Sequence, residues 1–124
     1  MIELVVYGKP VAKQRPRKGR YGNFYTPDET KDFEGRVAGA YLAKYGNRVI
    51  AKDMNIKAYM RFYVHSCKAD LDNLIKSTLD GFKKVFNDKA VKFIKAEIIE
   101  ADRSNECVDI ILDTYRGTNE KSKK

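Results

Sequence analysis

Alternating apolar and polar residues predict β-strands in this chain. The clearest case covers residues 54–64, where every second side chain is apolar and the ones between are polar or aromatic, as in a strand with one buried face. Clusters of strand-forming residues predict three more strands, at 2–7, 93–101 and 108–113. The polar residues 102–106 form a turn between the last two. The pattern therefore predicts a sheet of about four strands.

Apolar residues at helical spacing predict two helices between these strands. The first begins near Thr26, Pro27 and Glu29, which have the residue types of an N-cap, a first helical position and a capping box, and it ends before Gly46. The second extends from about residue 72 to residue 86. The apolar stripes are Phe33, Val37, Tyr41 and Tyr45 in the first helix and Leu71, Leu74, Ile75, Leu79, Phe82, Val85 and Phe86 in the second. Each helix therefore has one face to bury.

The order of these elements predicts the fold class. The order β-α-β-α-β-β indicates an α+β domain, with two main helices packed on one face of a small mixed sheet. The 124 residues have room for a single domain, which we assign to residues 1–116, and we expect the polar residues 117–124 to be a disordered tail. We expect residues 8–25 to form a long irregular segment, which in a compact domain is typically functional or mobile. Gly81 indicates close packing against a neighbouring helix.

The charge balance narrows the range of partners. Lys and Arg number 25 against 17 Asp and Glu, which gives a formal net charge of +8. A basic domain attracts polyanions such as nucleic acid or acidic lipid, although a well-solvated surface gives the same balance. No apolar run approaches the roughly 20 residues of a membrane helix. Cys67 and Cys107 are far apart and His65 is the one histidine, so we expect no zinc site and a reduced, cytoplasmic setting.

Acidic residues at the start of the second predicted helix are the main candidates for chemistry. Asp70 and Asp72 lie at the strand–helix junction, Lys76 and Asp80 continue one stripe of the helix, and Asp88 follows the helix. Carboxylates brought together repel one another unless a cation neutralises them, and such oxygen ligands suit Mg²⁺ or Mn²⁺. The alternatives are helix capping by the first two acids, ordinary i,i+4 ion pairing of the lysine, and a turn role for the last acid.

Basic and aromatic residues after the first strand indicate binding of nucleic acid. The cations fall within eight residues that contain no acid, and aromatic residues follow them at once. Cations bind phosphates, and aromatic rings stack on unpaired bases. A solvated basic loop that its aromatic residues anchor to the core is the alternative. The cations are Lys13, Arg15, Arg17, Lys18 and Arg20, and the aromatic residues are Tyr21, Phe24 and Tyr25.

Taken together, these residues resemble the RusA family of Holliday junction resolvases. The resemblance covers roughly residues 4–113. Its most specific part is the pattern Asp-x-Asp-Asn-x-x-Lys over residues 70–76. The matching segments are Asp70-Leu71-Asp72-Asn73-Leu74 with Lys76 and Asp80, Asp88-Lys89-Ala90-Val91, Gly8-Lys9-Pro10, Lys13-x-Arg15-Pro16-Arg17 and Tyr25-Thr26-Pro27.

The resemblance implies a structure-selective endonuclease that resolves four-way DNA junctions by metal-dependent hydrolysis, in DNA recombination and repair. It implies Mg²⁺ as the cofactor, with Mn²⁺ as a substitute, and a homodimer as the active form. Asp70, Asp72 and Asp88 would hold the metal, and Lys76 would be the catalytic lysine. Lys68, close before the first aspartate, joins the cations of the loop as a DNA-binding residue. A two-fold symmetric substrate cut at two places calls for two active sites related by a two-fold axis.

Two other functions stay open from the residues alone. The basic loop by itself would suit a non-catalytic protein that binds branched or single-stranded DNA. A protein-binding domain would use the acids merely as helix caps. Paired nicks in a four-way junction that depend on Mg²⁺ or Mn²⁺ would separate the enzyme from the DNA-binding protein. Weak dependence of DNA binding on salt would favour the protein-binding domain, because phosphate contacts make affinity fall steeply as salt rises.

Overall fold

Six strands and two helices make up the described part of the chain. The computed structural model describes residues 1–13, 17–18, 24–25 and 28–116, with 17–18 and 24–25 described by their backbone alone. The strands are β1 (Ile2–Tyr7), β2 (Arg17–Lys18), β3 (Phe24–Tyr25), β4 (Met54–Val64), β5 (Val91–Glu100) and β6 (Cys107–Arg116), and the helices are α1 (Asp28–Tyr45) and α2 (Leu71–Asp80). Short 3₁₀ turns at Asp88–Ala90 and Arg103–Asn105 precede β5 and β6.

A mixed four-stranded sheet in the order β1-β6-β4-β5 forms one layer of the domain. β6 pairs antiparallel with both β1 and β4, whereas β4 and β5 run parallel. Parallel neighbours need a crossover connection, which α2 and the turns after it supply. β2 and β3 form a separate antiparallel pair. The predicted α+β class, with a small mixed sheet and two main helices in the expected order, is confirmed.

One face of the sheet is buried beneath the helices. Buried residues alternate with more exposed ones along β1, β4 and β6, so the strands share one buried face. Phe33 and Val37 of α1 and Leu74 of α2 enter the same core as Phe62 and Ile110 of the sheet. The two described helices therefore form a single layer on this face. Within the described ranges, neither helix has the length and apolar character needed to cross a lipid bilayer.

The predictions for the four strands of the sheet differ from the structure mainly at the ends, whereas β2 and β3, in the segment expected to be irregular, were not predicted. The strands at 2–7 and 54–64 are confirmed with the expected bounds. β5 begins at Val91, earlier than expected, and β6 continues to Arg116 because its backbone pairs with β4 as far as Met54. Backbone pairing extends these strands beyond the hydrophobic pattern that predicted them. The expected N-cap and first position of α1, at residues 26–27, and the expected tail at 117–124 lie outside the described residues.

The second helix is shorter than the prediction of 72–86. It ends at Asp80, and residues 81–86 form consecutive turns. The Val85 N–H donates to the Phe82 carbonyl oxygen over 2.7 Å, which is the three-residue spacing of a tight turn. Phe82, Val85 and Phe86 are nevertheless buried. Their apolar spacing therefore predicted burial correctly, but it did not distinguish a helix from a series of helix-like turns.

Candidate functional site

Asp70 and Asp72 lie at the N-terminal end of α2, and both residues are exposed. Asp70 occupies the N-cap position with an extended backbone (φ −78°, ψ 142°), and its carbonyl oxygen accepts a bond from the Leu74 N–H over 3.2 Å. Among the described residues, its side chain makes no capping hydrogen bond. Helix capping therefore does not account for this carboxylate. The positive end of the helix dipole favours negative charge at this place.

Lys76 follows Asp72 by one turn of α2 and is exposed as well. The ion pairs found among the described residues do not include Lys76, so pairing along the helix does not explain its position. Asp80 pairs with Lys13 instead, with Nζ 2.9 Å from Oδ2. In the predicted stripe, Asp72 and Lys76 are therefore exposed, whereas Asp80 is used in a structural ion pair.

Asp88 lies at the opposite end of the β4–β5 strand pair from the first two acids. It begins the 3₁₀ turn directly before β5, whose first residue pairs with Ile56. Asp70 follows the other end of β4, at Val64. Because a strand rises about 3.3 Å per residue, the eight steps from Ile56 to Val64 span about 26 Å. In the described part of one chain, no three acidic, histidine or cysteine side chains form a group that could hold a metal.

Two glutamates, Glu100 at the end of β5 and Glu106 just before β6, hold the connection between β4 and α2. The Glu100 carboxylate accepts hydrogen bonds from the Ser66 N–H at 3.1 and 3.2 Å, and Glu106 accepts one from the His65 N–H at 3.1 Å. Ser66 has a left-handed backbone conformation (φ 51°), which turns the chain sharply after the strand. These bonds fix the bend that leads to Asp70. His65 therefore has a structural position, with Nδ1 3.4 Å from Oε2 of Glu100.

Lys13 attaches the segment after β1 to both helices. Its Nζ lies 3.1 Å from Oε2 of Glu34 and 2.9 Å from Oδ2 of Asp80, and its backbone N–H donates to the Asn73 carbonyl oxygen over 2.8 Å. Burial opposes the charge of Lys13, but its hydrogen bonds and attraction to Asp80 and Glu34 outweigh burial and raise its pKa. Its ammonium is thus held by two carboxylates, and its contact with DNA stays a prediction.

The remaining predicted DNA-binding residues are placed only in part. Arg15 and Arg20 lie outside the described residues, and Arg17 and Lys18 are described only as the backbone of β2. Lys68 is exposed in the connection before α2. Lys13, the first cation of the basic segment, is bonded through its backbone N–H to Asn73 in the first turn of α2, close to the candidate acids Asp70 and Asp72.

A cleft of about 570 Å³ lies beside the connection that leads to Asp70. Lys9, Lys68 and Arg103 contribute three cations to its lining, and Glu29 and Glu106 contribute two acids. The sequence patterns pointed to Lys9 only within a matching segment and did not point to Arg103. A lone arginine in a polar turn has no periodicity or spacing that would single it out. The fold brings it to the cleft because the turn before β6 lies next to the end of β4.

A second cavity, of about 660 Å³, lies between α1 and the turns after α2. Its lining includes four exposed cations, which are Lys31, Arg48, Lys83 and Lys84. Asp70, Asp72 and Asp88 are not among the described residues that line it. This surface therefore offers positive charge without the candidate acids.

One part of the chain has known relatives. It contains the candidate acids, Lys76 and the cleft beside the connection to Asp70. Residues 7–111 of the 124 match the family model described as Endodeoxyribonuclease RusA. The chain belongs to the RusA family. The match confirms the resemblance seen in the sequence, and it runs from the last residue of β1 into β6. RusA membership implies an endodeoxyribonuclease that resolves Holliday junctions. No curated protein sequence matches the chain at a significant level.

Proposed function

We propose that this RusA-family chain cleaves four-way DNA junctions by metal-dependent phosphodiester hydrolysis, as a homodimer, in DNA recombination and repair. The proposal depends on one observation, which is the exposure of the acids at the start of α2. The Asp70 carboxylate is exposed and not used as a cap, Asp72 is exposed two residues later, and Lys76 is one turn away. Family membership supports a nuclease, and this donor set supports metal-dependent chemistry.

The residues fit a hard divalent ion. Mg²⁺ keeps several of its waters and is commonly held by one or two carboxylates together with substrate phosphate oxygens. Asp70 and Asp72 supply such carboxylates at an exposed helix end, where a DNA backbone can approach. When bound there, Mg²⁺ or Mn²⁺ would lower the pKa of a coordinated water and neutralise charge on the phosphate.

The other side chains bind and orient the substrate. Lys76 stabilises the negative charge that develops on the phosphate oxygens, since an ammonium group fixed near the reacting centre is most effective where charge increases. Lys9, Lys68 and Arg103 bind the phosphates of the strand that lies in the cleft. The basic segment that begins at Lys13 binds a neighbouring arm of the junction.

Cleavage of a labelled four-way junction tests this function. With Mg²⁺ present, we expect paired nicks at symmetric positions in the junction and no cleavage of a linear duplex of the same sequence. Asp72→Asn removes one negative ligand without changing side-chain shape, so it should abolish nicking and leave junction binding intact. Equal cleavage by this variant and the parent would contradict the assignment. Junction binding without cleavage, in either Mg²⁺ or Mn²⁺, would instead identify a non-catalytic junction-binding protein.

A further inference from the structure

The bend between β4 and α2 has a backbone conformation that its own sequence does not favour. Ser66 has a φ angle of 51°, and among the described residues it is the only one other than glycine with a positive φ. This conformation is uncommon for serine, so it persists only where surrounding contacts stabilise it. The bend lies four residues before Asp70, and its direction therefore determines where the chain enters α2.

Two carboxylates supply the stabilising contacts. Both oxygens of Glu100 accept the Ser66 N–H, and Glu106 accepts the N–H of the preceding residue, His65. Hydrogen bonds to an ionised acceptor are about twice as strong as those between neutral groups. Both acids are themselves held by the sheet. Glu100 belongs to the last residue pair of β4 with β5, and the Glu106 carbonyl oxygen accepts the N–H of Gly8, after β1, over 3.0 Å.

The negative charge of these acids is unfavourable for the proposed substrate. Glu106 lines the same cleft as Lys9, Lys68 and Arg103, to which the proposed function assigns DNA phosphates. A carboxylate at such a surface repels a phosphate backbone and weakens its binding. The Glu100 side chain beside the bend is 67% exposed, so its charge is not hidden from the substrate. The bonds to the backbone give both acids a role that offsets this repulsion.

We propose that Glu100 and Glu106 are positioning residues of this nuclease, which hold the bend at Ser66 so that Asp70 and Asp72 face the metal and the substrate. Three residues separate the bend from Asp70, and so short a connection transmits a change in direction at the bend to the start of α2. The proposal deepens the proposed function and rests on it for the role of the two aspartates.

Variants with and without a hydrogen-bond acceptor test the proposal by kinetics. Glu100→Ala removes the acceptor and should lower kcat for junction cleavage at least about tenfold, because misplaced ligands slow the chemical step. Glu100→Gln keeps a carbonyl oxygen for the Ser66 N–H, so its kcat should stay close to that of the parent. Glu106→Ala and Glu106→Gln should differ in the same way. Glu97→Ala removes another exposed glutamate of β5 and is the matched control, which should cleave like the parent.

Junction affinity distinguishes positioning from substrate binding. In Ca²⁺, which prevents cleavage, the alanine and glutamine variants of both acids should bind a labelled junction as tightly as the parent or more tightly, because each has lost one negative charge. A loss of kcat without a loss of affinity is the pattern expected of residues that act through Asp70 and Asp72.

Substitution of Ser66 tests the conformation of the bend. Asparagine adopts a positive φ more readily than serine, so Ser66→Asn added to Glu100→Ala should recover part of the lost kcat. Valine is branched at Cβ and disfavours this conformation, so Ser66→Val should lower kcat in a chain that keeps both glutamates. Equal effects of asparagine and valine at this position would contradict a role for the bend.

Amide hydrogen exchange tests the positioning without DNA or metal. Glu100→Ala should accelerate exchange of the Ser66 N–H and of the Leu74 N–H, which bonds to the Asp70 carbonyl oxygen at the start of α2. Amides at the centre of β6 exchange through global unfolding and give the reference, so the acceleration at Leu74 should exceed the change there. Glu100→Gln and Glu97→Ala should exchange like the parent at both positions.

Three results would overturn the proposal. Alanine variants that cleave as fast as the parent would exclude a positioning role, and glutamine variants as slow as the alanine variants would show that charge matters and not the bond. Unchanged exchange at Leu74 in Glu100→Ala would show that the bend does not act on the start of α2. If the parent itself does not cleave junctions, the proposed function is wrong, whereas hydrogen exchange still decides whether Glu100 holds this end of the helix.

Discussion

Gly81 lies in direct contact with Val37, where the end of α2 meets α1. A Cβ atom built on Gly81 would lie 2.6 Å from Cβ of Val37 and 3.1 Å from the Glu34 carbonyl oxygen. The φ angle of Gly81 is −66°, which any residue can adopt, so this position requires glycine for space and not for backbone conformation. The close packing against a neighbouring helix that the sequence indicated is thus present.

Gly81→Ala is expected to destabilise the fold by about 1–3 kcal/mol, because the added methyl group must displace α1. Urea denaturation followed by circular dichroism measures this change. Val37→Ala removes Cγ1 of Val37, which would lie 2.7 Å from the methyl group, and keeps Cβ, so it relieves part of the clash. The double variant should therefore lose less stability than the sum of the single variants. Strict additivity would contradict the contact.

Gly39→Ala is the matched control for the glycine variant. Gly39 lies in the middle of α1, and nothing lies within 4 Å of a Cβ atom built there. Alanine in place of a helical glycine stabilises a protein by roughly 0.5–1 kcal/mol, because glycine loses more backbone entropy on folding. The two substitutions should therefore change the free energy of unfolding with opposite signs. A common sign would mean that space at Gly81 is not the deciding factor.

Lys13→Met is expected to cost about 1 kcal/mol of stability, because it leaves Glu34 and Asp80 without their shared cation. The pKa of Lys13 is raised in the folded protein, so its contribution is complete below its unfolded pKa of 10.5 and is lost as pH rises through the folded value. The difference in the free energy of unfolding between parent and variant should be constant from pH 7 to 9. It should shrink at strongly alkaline pH. Lys31→Met, at an exposed lysine of α1, should show no such pH dependence.

Lys76→Met should lower kcat for junction cleavage by about 10²–10³-fold while leaving junction affinity nearly unchanged. The reason is that its charge is expected to act on the transition state and not on the bound substrate. Lys76→Arg keeps the charge and should retain part of the activity. Single-turnover cleavage with saturating enzyme separates chemistry from binding. A loss of affinity without a loss of rate would identify Lys76 as a phosphate contact only.

Lys68→Gln and Arg103→Gln test the cationic cleft. If each side chain binds one phosphate, each variant should reduce the slope of log K against log salt concentration by about 0.9. Fluorescence anisotropy with a labelled junction, measured at several salt concentrations in Ca²⁺ to prevent cleavage, gives this slope. Lys57→Gln removes an equal charge from β4, away from the cleft, and should leave the slope unchanged. Equal slopes for all three variants would show that the cleft does not lie on the DNA path.

The sequence predicted the fold where side-chain periodicity and structure coincide. Residues 54–64 alternate because one face of β4 is buried, and that strand has the predicted bounds. Residues 81–86 have helical spacing but form turns, since burial of Phe82 and Phe86 is compatible with both conformations. The strand order was not predictable from these patterns. Whether β5 pairs beside β4 or beside β1 depends on contacts between distant segments.

The candidate site was predictable in its residue types but not in its arrangement. The spacing of Asp70, Asp72 and Lys76 predicted a candidate site at the start of a helix. In the structure these residues lie at the start of α2. The distance between Asp88 and the first two acids depends on the parallel pairing of β5 with β4. This pairing places the beginning of β5 far from the end of β4. Arg103 reaches the cleft only through the turn between β5 and β6. Chain topology, and not local composition, decides these positions.

The place of β6 in the sheet has a consequence for synthesis of the enzyme. β6 is the last of the described strands along the chain, yet it lies between β1 and β4 and pairs with both. Until a nascent polypeptide has passed β6 through the ribosome tunnel, no strand joins β1 to the β4–β5 pair. The sheet that supports the acids is therefore completed only after β6 has been synthesised, and a chain that stops before β6 lacks this scaffold.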